Sequence, residues 1–297
     1  SDEELINLYQ NAKALIMPSL MEGFGLPALE AMANKCLVLC SGISALKEVC
    51  ADAAIYFDPY DTSEMAEKLE DAINYMKTKN APYAFVVKEG TFEPYDLKNK
   101  IKTSYELSRE DAIKLIVDQL DSRDIIISTT GKTSRELFEY REKLGHDHSR
   151  DFLTVGSMGH SSQIALGIAL SKPDRTVYCF DGDGAVIMHM GSLAIIGSQS
   201  PKNFKHIIFN NGAHDSVGGQ PTVGFEIDFV GIAKSCGYNL TLKAETSDEI
   251  KERMDLLKSS DGPSLLEIRV NKGARADLGR PTTTPKENKE AFMDFLK

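Results

Sequence analysis

The sequence predicts an α/β protein whose larger part is built on a parallel sheet. Along residues 105–297, apolar runs of strand length alternate with stretches of helical periodicity. Turns rich in glycine or hydroxyl side chains follow several of these runs, and two polar motifs stand where two of them end. Strands separated by helices pair in parallel, and ligands of such sheets bind beyond the carboxyl ends of the strands.

Composition indicates a globular protein without a membrane span. The chain has 297 residues, of which 42% are hydrophobic and 26% charged, and its net charge of -10 argues against nucleic acid as a partner. It has no apolar run of about 18 residues, and residues 1–20 lack a signal-peptide pattern. The five cysteines lack metal-ligand spacing and are typical of reduced thiols, so we expect a cytoplasmic location.

Three regions are predicted: 1–73, 74–104 and 105–297. Residues 1–73 form a short α/β unit, with an amphipathic start at Glu4–Leu8. Two strands, Ala14–Met17 and Leu37–Leu39, and two helices, Pro27–Ala33 and Ser63–Met76, follow. Pro27 lies within the first turn of its helix, where proline is tolerated. Residues 74–104 hold one strand, Ala81–Val87, and a charged connector, Lys88–Lys102.

The region 105–297 opens with a helix capped by Ser108, which is followed three residues later by Asp111. Strands are then predicted at Ile125–Ser128, Phe152–Val155, Thr176–Phe180, His206–Phe209, Leu240–Lys243 and Ser264–Val270. The helices between them include Thr133–Leu144, Ser161–Leu170, Val230–Ser235 and Ser247–Lys258. About 190 residues suffice for a hydrophobic core.

The two polar motifs predict a magnesium and diphosphate site. Gly182-Asp183-Gly184 follows one strand, and Asn210-Asn211 follows the next. A carboxylate and a carboxamide at one sheet edge suit a hard cation, and the glycines let a diphosphate approach backbone amides. A calcium loop starting at Asp181 is excluded because the apolar run Ala185–Met188 offers no further acidic ligand.

A third turn, Thr129–Ser134, is similar to a nucleotide phosphate loop through its Gly131-Lys132-Thr133 run. Such a loop needs glycine at position 126, where this chain has Ile126, so ATP binding is disfavoured. A strand-to-helix turn rich in hydroxyl groups still suits a phosphate ligand, and Thr130 is its candidate residue.

Gly182-Asp183-Gly184 with Asn210-Asn211 resembles the signature of thiamine diphosphate enzymes. Residues from about 75 onward resemble the phosphonopyruvate decarboxylase family, with sulfopyruvate decarboxylases next. The segments that carry the likeness are 80–83, 90–94, 128–134, 156–160, 210–222 and 279–281. The resemblance implies a thiamine diphosphate-binding domain on a parallel sheet. The implied reaction removes carbon dioxide from 3-phosphonopyruvate, a small 2-oxo acid, and leaves phosphonoacetaldehyde.

The resemblance also implies roles for individual residues. Magnesium would be held by Asp183, Asn211 and the backbone carbonyl of Ala213. The turn around Gly182, through the amides of Gly184 and Ala185, would bind the diphosphate. The backbone carbonyl of Gly156 would accept a hydrogen bond from the aminopyrimidine. Met158 would force the cofactor into its bent form; the alternative is that Met158 is an ordinary core residue.

Three further residues, His214, Arg275 and Arg280, each have two interpretations: a functional residue or an ordinary surface residue. His214 is a candidate for proton transfer or substrate binding, because histidine titrates near neutral pH, and it is equally a solvated loop residue. Arg275 and Arg280 suit a phosphonate, since guanidinium matches a tetrahedral oxyanion, and they are equally surface charges.

In the thiamine diphosphate family, a pyrimidine-binding domain supplies the glutamate that activates the cofactor. Residues 75–90 resemble only the end of that domain, and Glu89 and Glu93 match no activating motif. The resemblance therefore implies a homo-oligomer or a partner chain that carries the pyrimidine domain.

Residues 1 to about 72 resemble the C-terminal donor domain of retaining glycosyltransferases, as a partial Rossmann-like fragment. The motif is Glu22–Glu30, preceded by Pro18-Ser19. The likeness implies that Glu22 faces the donor sugar, Gly23 to Gly25 the diphosphate, and Glu30 the ribose.

Alternatives to an active decarboxylase remain at this point. The three alternatives are a non-catalytic fusion that keeps cofactor binding, a sulfopyruvate decarboxylase subunit, and a glycosyltransferase-derived module that binds nucleotide sugars.

Overall fold

The computed structural model describes residues 97–297 without interruption and shorter pieces before them. Those pieces are residues 2–12, 15–17, 26–34, 36, 38–40, 50, 56–57, 70–71, 74, 77–78 and 86–87. The chain divides into two compact units, Ser1–Asp96 and Leu97–Lys297. The predicted boundaries at residues 73 and 104 stay predictions. Within the described residues, every helix is too short or too polar to cross a bilayer.

The described part of the N-terminal unit includes helices α1 (Asp2–Asn11) and α2 (Leu26–Ala33) and two pairs of parallel strands. Strands β1 (Leu15–Met17) and β2 (Val38–Cys40) pair in parallel, as do β3 (Tyr56–Phe57) and β4 (Val86–Val87). Most of the helix predicted at Ser63–Met76 and of the connector Lys88–Lys102 lies outside the described residues.

The C-terminal unit is built on a six-stranded sheet in which every pairing is parallel. Its strands are β5 (Ile125–Ser128), β6 (Asp151–Leu153), β7 (Val177–Gly182), β8 (Phe204–Asn210), β11 (Leu240–Ala244) and β12 (Ser264–Arg269). Their spatial order is β11-β12-β8-β7-β5-β6. The predicted α/β fold with a parallel sheet is therefore confirmed.

Helices lie between the strands along the chain. They are α3 (Arg109–Val117), α4 (Lys132–Leu144), α5 (Ser161–Ser171), α6 (Asp183–Met188), α7 (Gly191–Gln199), α8 (Phe229–Ser235), α9 (Ser247–Ser259) and α10 (Pro285–Phe295). The predicted elements of this region agree with the observed ones to within two residues at most ends. Helix α10 and the short strands β9 (Ala213–His214) and β10 (Gln220–Pro221) were not predicted.

Alternate residues of the central strands supply two separate hydrophobic cores. Tyr178 and Phe180 of β7 pack with α3, α4 and α9 on one face of the sheet. Val177 and Cys179 of the same strand pack with α5, α7, α8 and α10 on the other face. Because both faces are covered, all residues of β5 and β8 are buried, which is typical of a parallel sheet. The two cores fix the carboxyl ends of β5, β7 and β8 beside one another.

Candidate functional site

A small cavity lies at the carboxyl ends of the central strands. It encloses about 40 Å³. Its lining comprises Arg109, Thr129, Thr130, Lys132, Thr133, Met158, Gly182, Asp183, Gly184, Ala185, Phe209, Asn211, Ala213, His214 and Ser216. Three turns supply most of these residues: those that follow β5, β7 and β8. The position agrees with the rule that ligands of open α/β sheets bind beyond the strand ends.

Asp183 provides the buried carboxylate of this cavity. It begins α6 directly after β7 and is only 1% exposed. The hydroxyl of Thr222 donates a hydrogen bond to its Oδ2. Burial raises the pKa of Asp183, while hydrogen bonds from Thr222, Asn211 and Gly184 lower it in part. A cation at this carboxylate would favour its ionised form, because an opposite charge offsets the cost of desolvation.

The two asparagines at the carboxyl end of β8 have different surroundings. The Asn210 side chain donates to the backbone carbonyl of Gly224 and to Oε1 of Glu267, each at 2.7 Å, and so belongs to the framework. Asn211 lines the cavity; its Oδ1 accepts from the Ala213 amide at 3.1 Å. Its Nδ2 donates to Asp215 Oδ2 at 2.6 Å. The structure thus separates a scaffold asparagine from a cavity asparagine.

The turn after β5 closes the cavity from a second side. Gly131 precedes α4 with a φ of 104°, a conformation that favours glycine, and gives no side-chain cap to the helix. The first amide of α4, on Lys132, instead donates to Oγ of Ser216 at 3.2 Å. Burial lowers the pKa of Lys132, and the neighbouring Arg135 and Arg109 lower it further. The turn therefore combines amide and ammonium donors at one place.

The turn after β6 holds its backbone in a left-handed conformation. Gly156, Ser157 and Gly159 have φ values of 67°, 44° and 89°. Positive φ at a residue such as Ser157 is uncommon and often marks a functional turn. Met158 of this turn lines the cavity, whereas Gly156 is not part of the lining.

Most of the predicted site residues meet at this cavity. Thr130, Met158, Gly182, Asp183, Gly184, Ala185, Asn211, Ala213 and His214 all line it. A Cβ atom placed on Gly184 would lie 2.5 Å from the His214 ring, so a larger residue there would displace His214 from its present position.

The two predicted substrate arginines lie elsewhere. Arg275 and Arg280 are exposed and are not part of the cavity lining. Arg275 forms ion pairs with Glu110 and Asp277, at 3.0 and 3.1 Å, and a further one with Glu139. Three carboxylates thus compete for the guanidinium that was expected to bind a phosphonate.

Sequence reasoning missed several residues of the site. Arg109 stands inside the capping motif of α3, where only a helix start was visible, and its role depends on contacts with residues far along the chain. Thr222 and Ser216 come from the loop around β9 and β10. The sequence predicts a phosphate ligand at the hydroxyl-rich turn after β5, but Thr130 is the one residue of that turn among the predicted site residues.

The family model described as "Thiamine pyrophosphate enzyme, C-terminal TPP binding domain" matches residues 129–268. These residues include every strand-end turn of the cavity. The sulfopyruvate decarboxylase subunit beta of Methanococcus maripaludis is 31% identical over 192 residues, which cover 65% of this chain and 99% of that protein. The chain belongs to the family of sulfopyruvate decarboxylase beta subunits, and it carries the thiamine pyrophosphate-binding domain.

Other relatives of this family are longer. A phosphonopyruvate decarboxylase of Streptomyces viridochromogenes is 36% identical over 185 residues, which cover 62% of this chain and 45% of that protein. The chain thus spans about half the length of such relatives. The fold also matches that of a thiamin diphosphate-dependent enzyme from Mycobacterium smegmatis, with a TM-score of 0.50 at 17% identity over 74% of this chain and 44% of that one.

Residues of the cavity fit magnesium and part of thiamine diphosphate. Carboxylate, carboxamide and carbonyl oxygens are the ligands that a hard cation prefers. Among the described residues, the buried Oγ1 of Thr129 finds no hydrogen-bond partner, although it lines the cavity. The cavity has room for an ion and little else, whereas the binding sites of whole small-molecule ligands have volumes of several hundred Å³. The lining alone therefore does not enclose a whole cofactor.

The N-terminal resemblance is confirmed as well. Residues 1–83 match the family model described as "Glycosyl transferases group 1". Of the predicted nucleotide-sugar residues, Glu22, Gly23 and Gly25 lie outside the described residues. Glu30 is exposed on α2, and its Oε2 accepts a hydrogen bond from the Tyr9 hydroxyl at 3.3 Å.

Proposed function

We propose that this chain is the diphosphate-binding part of a magnesium- and thiamine diphosphate-dependent decarboxylase that acts on 3-phosphonopyruvate. One observation carries the proposal: the cavity at the sheet edge gathers Asp183, Asn211 and Ala213 beside the Gly182–Ala185 turn. This arrangement supports the proposal because oxygen ligands for a hard cation and backbone amides for a diphosphate would then lie together.

Each residue of the cavity then has a binding task. Asp183, Asn211 and the carbonyl of Ala213 would hold magnesium, and Thr222 would orient the Asp183 carboxylate through its hydrogen bond. Amides of Gly184 and Ala185 and the hydroxyl of Thr130 would hold the diphosphate. Thiamine diphosphate, when bound, supplies the electron sink that allows a 2-oxo acid to lose carbon dioxide.

The remaining cavity residues would orient the reactants. Met158 would support the bent cofactor, with Gly156 beside it as acceptor for the aminopyrimidine. His214 contacts the turn at Gly184 and would bind the substrate or move a proton near it. Arg275 and Arg280 lie outside the cavity lining, and Lys132 is a cation of this chain that does line it.

A second polypeptide surface is part of the proposal. Two observations support it: the cavity is too small for a whole cofactor, and the M. maripaludis relative, of which the match covers 99%, is named a subunit. We infer that a pyrimidine-binding domain, from a partner chain or from another copy in a homo-oligomer, completes the site and supplies the activating acid.

A sulfopyruvate decarboxylase subunit is the second candidate. The observation that favours it is length: the match covers almost all of a sulfopyruvate decarboxylase subunit and 45% of a phosphonopyruvate decarboxylase. Sulfonate and phosphonate are both tetrahedral oxyanions, so the same cations would serve either substrate.

The test is a reconstitution assay. The chain is mixed with a pyrimidine-domain polypeptide, magnesium and thiamine diphosphate, and carbon dioxide release from 3-phosphonopyruvate and from sulfopyruvate is measured. We expect turnover that requires both polypeptides and is faster with 3-phosphonopyruvate; the reverse preference would establish the second candidate.

The Asp183→Asn variant is the control, and we expect it to abolish turnover while keeping the fold. Cofactor binding without turnover, whatever partner is added, would contradict the enzyme proposal and support the non-catalytic alternative. Stabilisation of the chain by a UDP-sugar in a thermal-shift assay would support the nucleotide-sugar module.

A further inference from the structure

A chain of buried charged groups leads from helix α4 to the cavity asparagine. Glu136 accepts two hydrogen bonds from Arg109, from Nε at 2.8 Å and from Nη2 at 2.9 Å. The remaining nitrogen of the Arg109 guanidinium, Nη1, donates to Asp215 Oδ2 at 3.1 Å. The three side chains are only 1%, 5% and 7% exposed. Buried charges are expensive unless they are paired in this way.

Asp215 joins this chain to the cavity. Its Oδ2 accepts from the Asn211 side-chain amide at 2.6 Å and from the backbone amide of Gly273 at 2.9 Å, besides the bond from Arg109. An ionised carboxylate only accepts hydrogen bonds, so it must face the nitrogen of the carboxamide. The oxygen of Asn211 is thereby forced to point away from Asp215.

The orientation of Asn211 matters because only its oxygen can bind a cation. A free asparagine side chain can turn its amide nitrogen toward a metal, which would repel the ion. The hydrogen bond from Asn211 to Asp215 excludes that rotamer, and Arg109 holds Asp215 in place. Such partners behind a metal ligand typically change metal affinity by about 10- to 100-fold.

We propose that Asp215 is a positioning residue for the magnesium site, and that Arg109, itself held by Glu136, fixes the Asp215 carboxylate in place. The inference rests on the proposed function, since it concerns the same magnesium ion. It adds three residues from distant parts of the sequence that act on the magnesium site through Asn211.

The experiment measures magnesium affinity rather than activity. Magnesium is titrated calorimetrically into the whole chain in the presence of a fixed excess of thiamine diphosphate. We expect Asp215→Ala to weaken magnesium binding by about tenfold. Asp215→Asn keeps an oxygen acceptor for Asn211, so its loss is expected to be smaller. Arg109→Lys keeps the charge but loses the fork that holds Glu136 and Asp215 together, so we expect an intermediate loss.

Helix α4, which carries Glu136, also carries Arg141, and Arg141 provides a matched control. Arg141 binds Asp151 through two hydrogen bonds, and both side chains are 1% exposed. Asp151→Asn disturbs an equally buried pair outside the cavity lining, so it is expected to lower stability and leave magnesium affinity unchanged. Circular dichroism identifies the folded variants; if Asp215→Ala does not fold, Asp215→Asn and Arg109→Lys carry the comparison.

Three outcomes are decisive. Wild-type affinity in the folded Asp215 and Arg109 variants would overturn the inference. An equal loss in Asp151→Asn would overturn it too, because the effect would then follow stability. Failure of the wild-type chain to bind magnesium with thiamine diphosphate would overturn the proposed function, and this inference with it.

Discussion

At the residue scale, the site depends on glycines that allow neighbouring side chains to approach closely. Gly224 shows this most directly, because a Cβ atom at this position would lie 2.7 Å from Asn210 Oδ1 and 2.9 Å from the Asp183 Cβ. Asn210 and Asp183 are both buried and hydrogen-bonded, so neither can move away freely. Gly224 therefore leaves the space that the Asp183 carboxylate occupies.

We expect Gly224→Ala to lower the free energy of unfolding by about 1–3 kcal/mol, because the added methyl group overpacks the site. Magnesium affinity should fall as well, since Asp183 is displaced. Gly167→Ala is the matched control: a Cβ there meets no atom within 4 Å, and alanine is the better helix former in α5. Denaturant unfolding and calorimetry test both variants; an equal response of the two would contradict the argument.

A second residue-scale prediction concerns Lys205, a buried lysine of β8 that donates to the Ser260 carbonyl at 2.6 Å. Burial lowers the pKa of Lys205 to about 8, from an ordinary value of 10.5. Between these values the unfolded chain binds a proton that the folded protein does not. Stability contributed by this lysine therefore rises with pH across that range, and the cost of the buried charge is fully present below pH 8.

We expect the stability of Lys205→Met relative to wild type to fall by roughly 2–3 kcal/mol between about pH 8 and pH 10, as the wild-type penalty disappears. Chemical denaturation at a series of pH values measures this difference. Lys202→Met is the control, because Lys202 is 79% exposed and pairs with Asp261 at the surface. Parallel stability curves for Lys205→Met and wild type would contradict the prediction.

At the element scale, local sequence signals determined the strands and helices of the C-terminal unit. The Ser108 and Asp111 capping box was predicted from spacing alone and is present at the start of α3. The apolar runs of β7 and β8 were recognisable because both faces of each strand are buried. Strands β9 and β10 could not be predicted, since each has two residues and their pairing depends on the loop fold.

The candidate site was predictable to a similar extent. Asp183 and Asn211 follow strand ends, and the parallel topology requires these ends to meet. Arg109 carries no comparable signal, because its partners Glu136 and Asp215 are 27 and 106 residues away. Long-range pairs of this kind are set by the tertiary structure rather than by local pattern.

The capping box of α3 supports a prediction at this scale. The Ser108 hydroxyl accepts from the Asp111 amide at 3.1 Å, and the helix that it starts carries Arg109 in its first turn. Ser108→Ala is expected to cost about 1 kcal/mol of stability and to weaken magnesium binding slightly.

Thr284→Ala removes an equivalent capping box from α10 and serves as the control for Ser108→Ala. It is expected to cost a similar amount of stability, with no change in magnesium affinity, because α10 contributes no residue to the cavity lining. Thermal unfolding and magnesium titration measure both effects. A loss of magnesium affinity in Thr284→Ala would show that the caps act through general stability.

At the scale of the whole molecule, two sequence families meet in one chain. Residues 1–83 match glycosyl transferases, and residues 129–268 match the thiamine pyrophosphate-binding domain. All cavity residues belong to the unit Leu97–Lys297, which has its own two hydrophobic cores. The similarity to decarboxylases therefore applies to this unit, which contains the cavity.

We expect the separate polypeptide 97–297 to fold and to bind magnesium with thiamine diphosphate within about twofold of the full chain, because it contains every residue of the cavity lining. Circular dichroism and calorimetry test this prediction. An unfolded fragment, or one without affinity, would show that residues 1–96 contribute to the site.

The central claim is that Asp183 and Asn211 form the magnesium and diphosphate side of a thiamine diphosphate site. Calorimetric titration of thiamine diphosphate into the full chain, with and without magnesium, tests it most directly. We predict binding that requires magnesium and is abolished in the folded Asp183→Asn variant. Binding that is independent of magnesium, or that persists in Asp183→Asn, would contradict the claim.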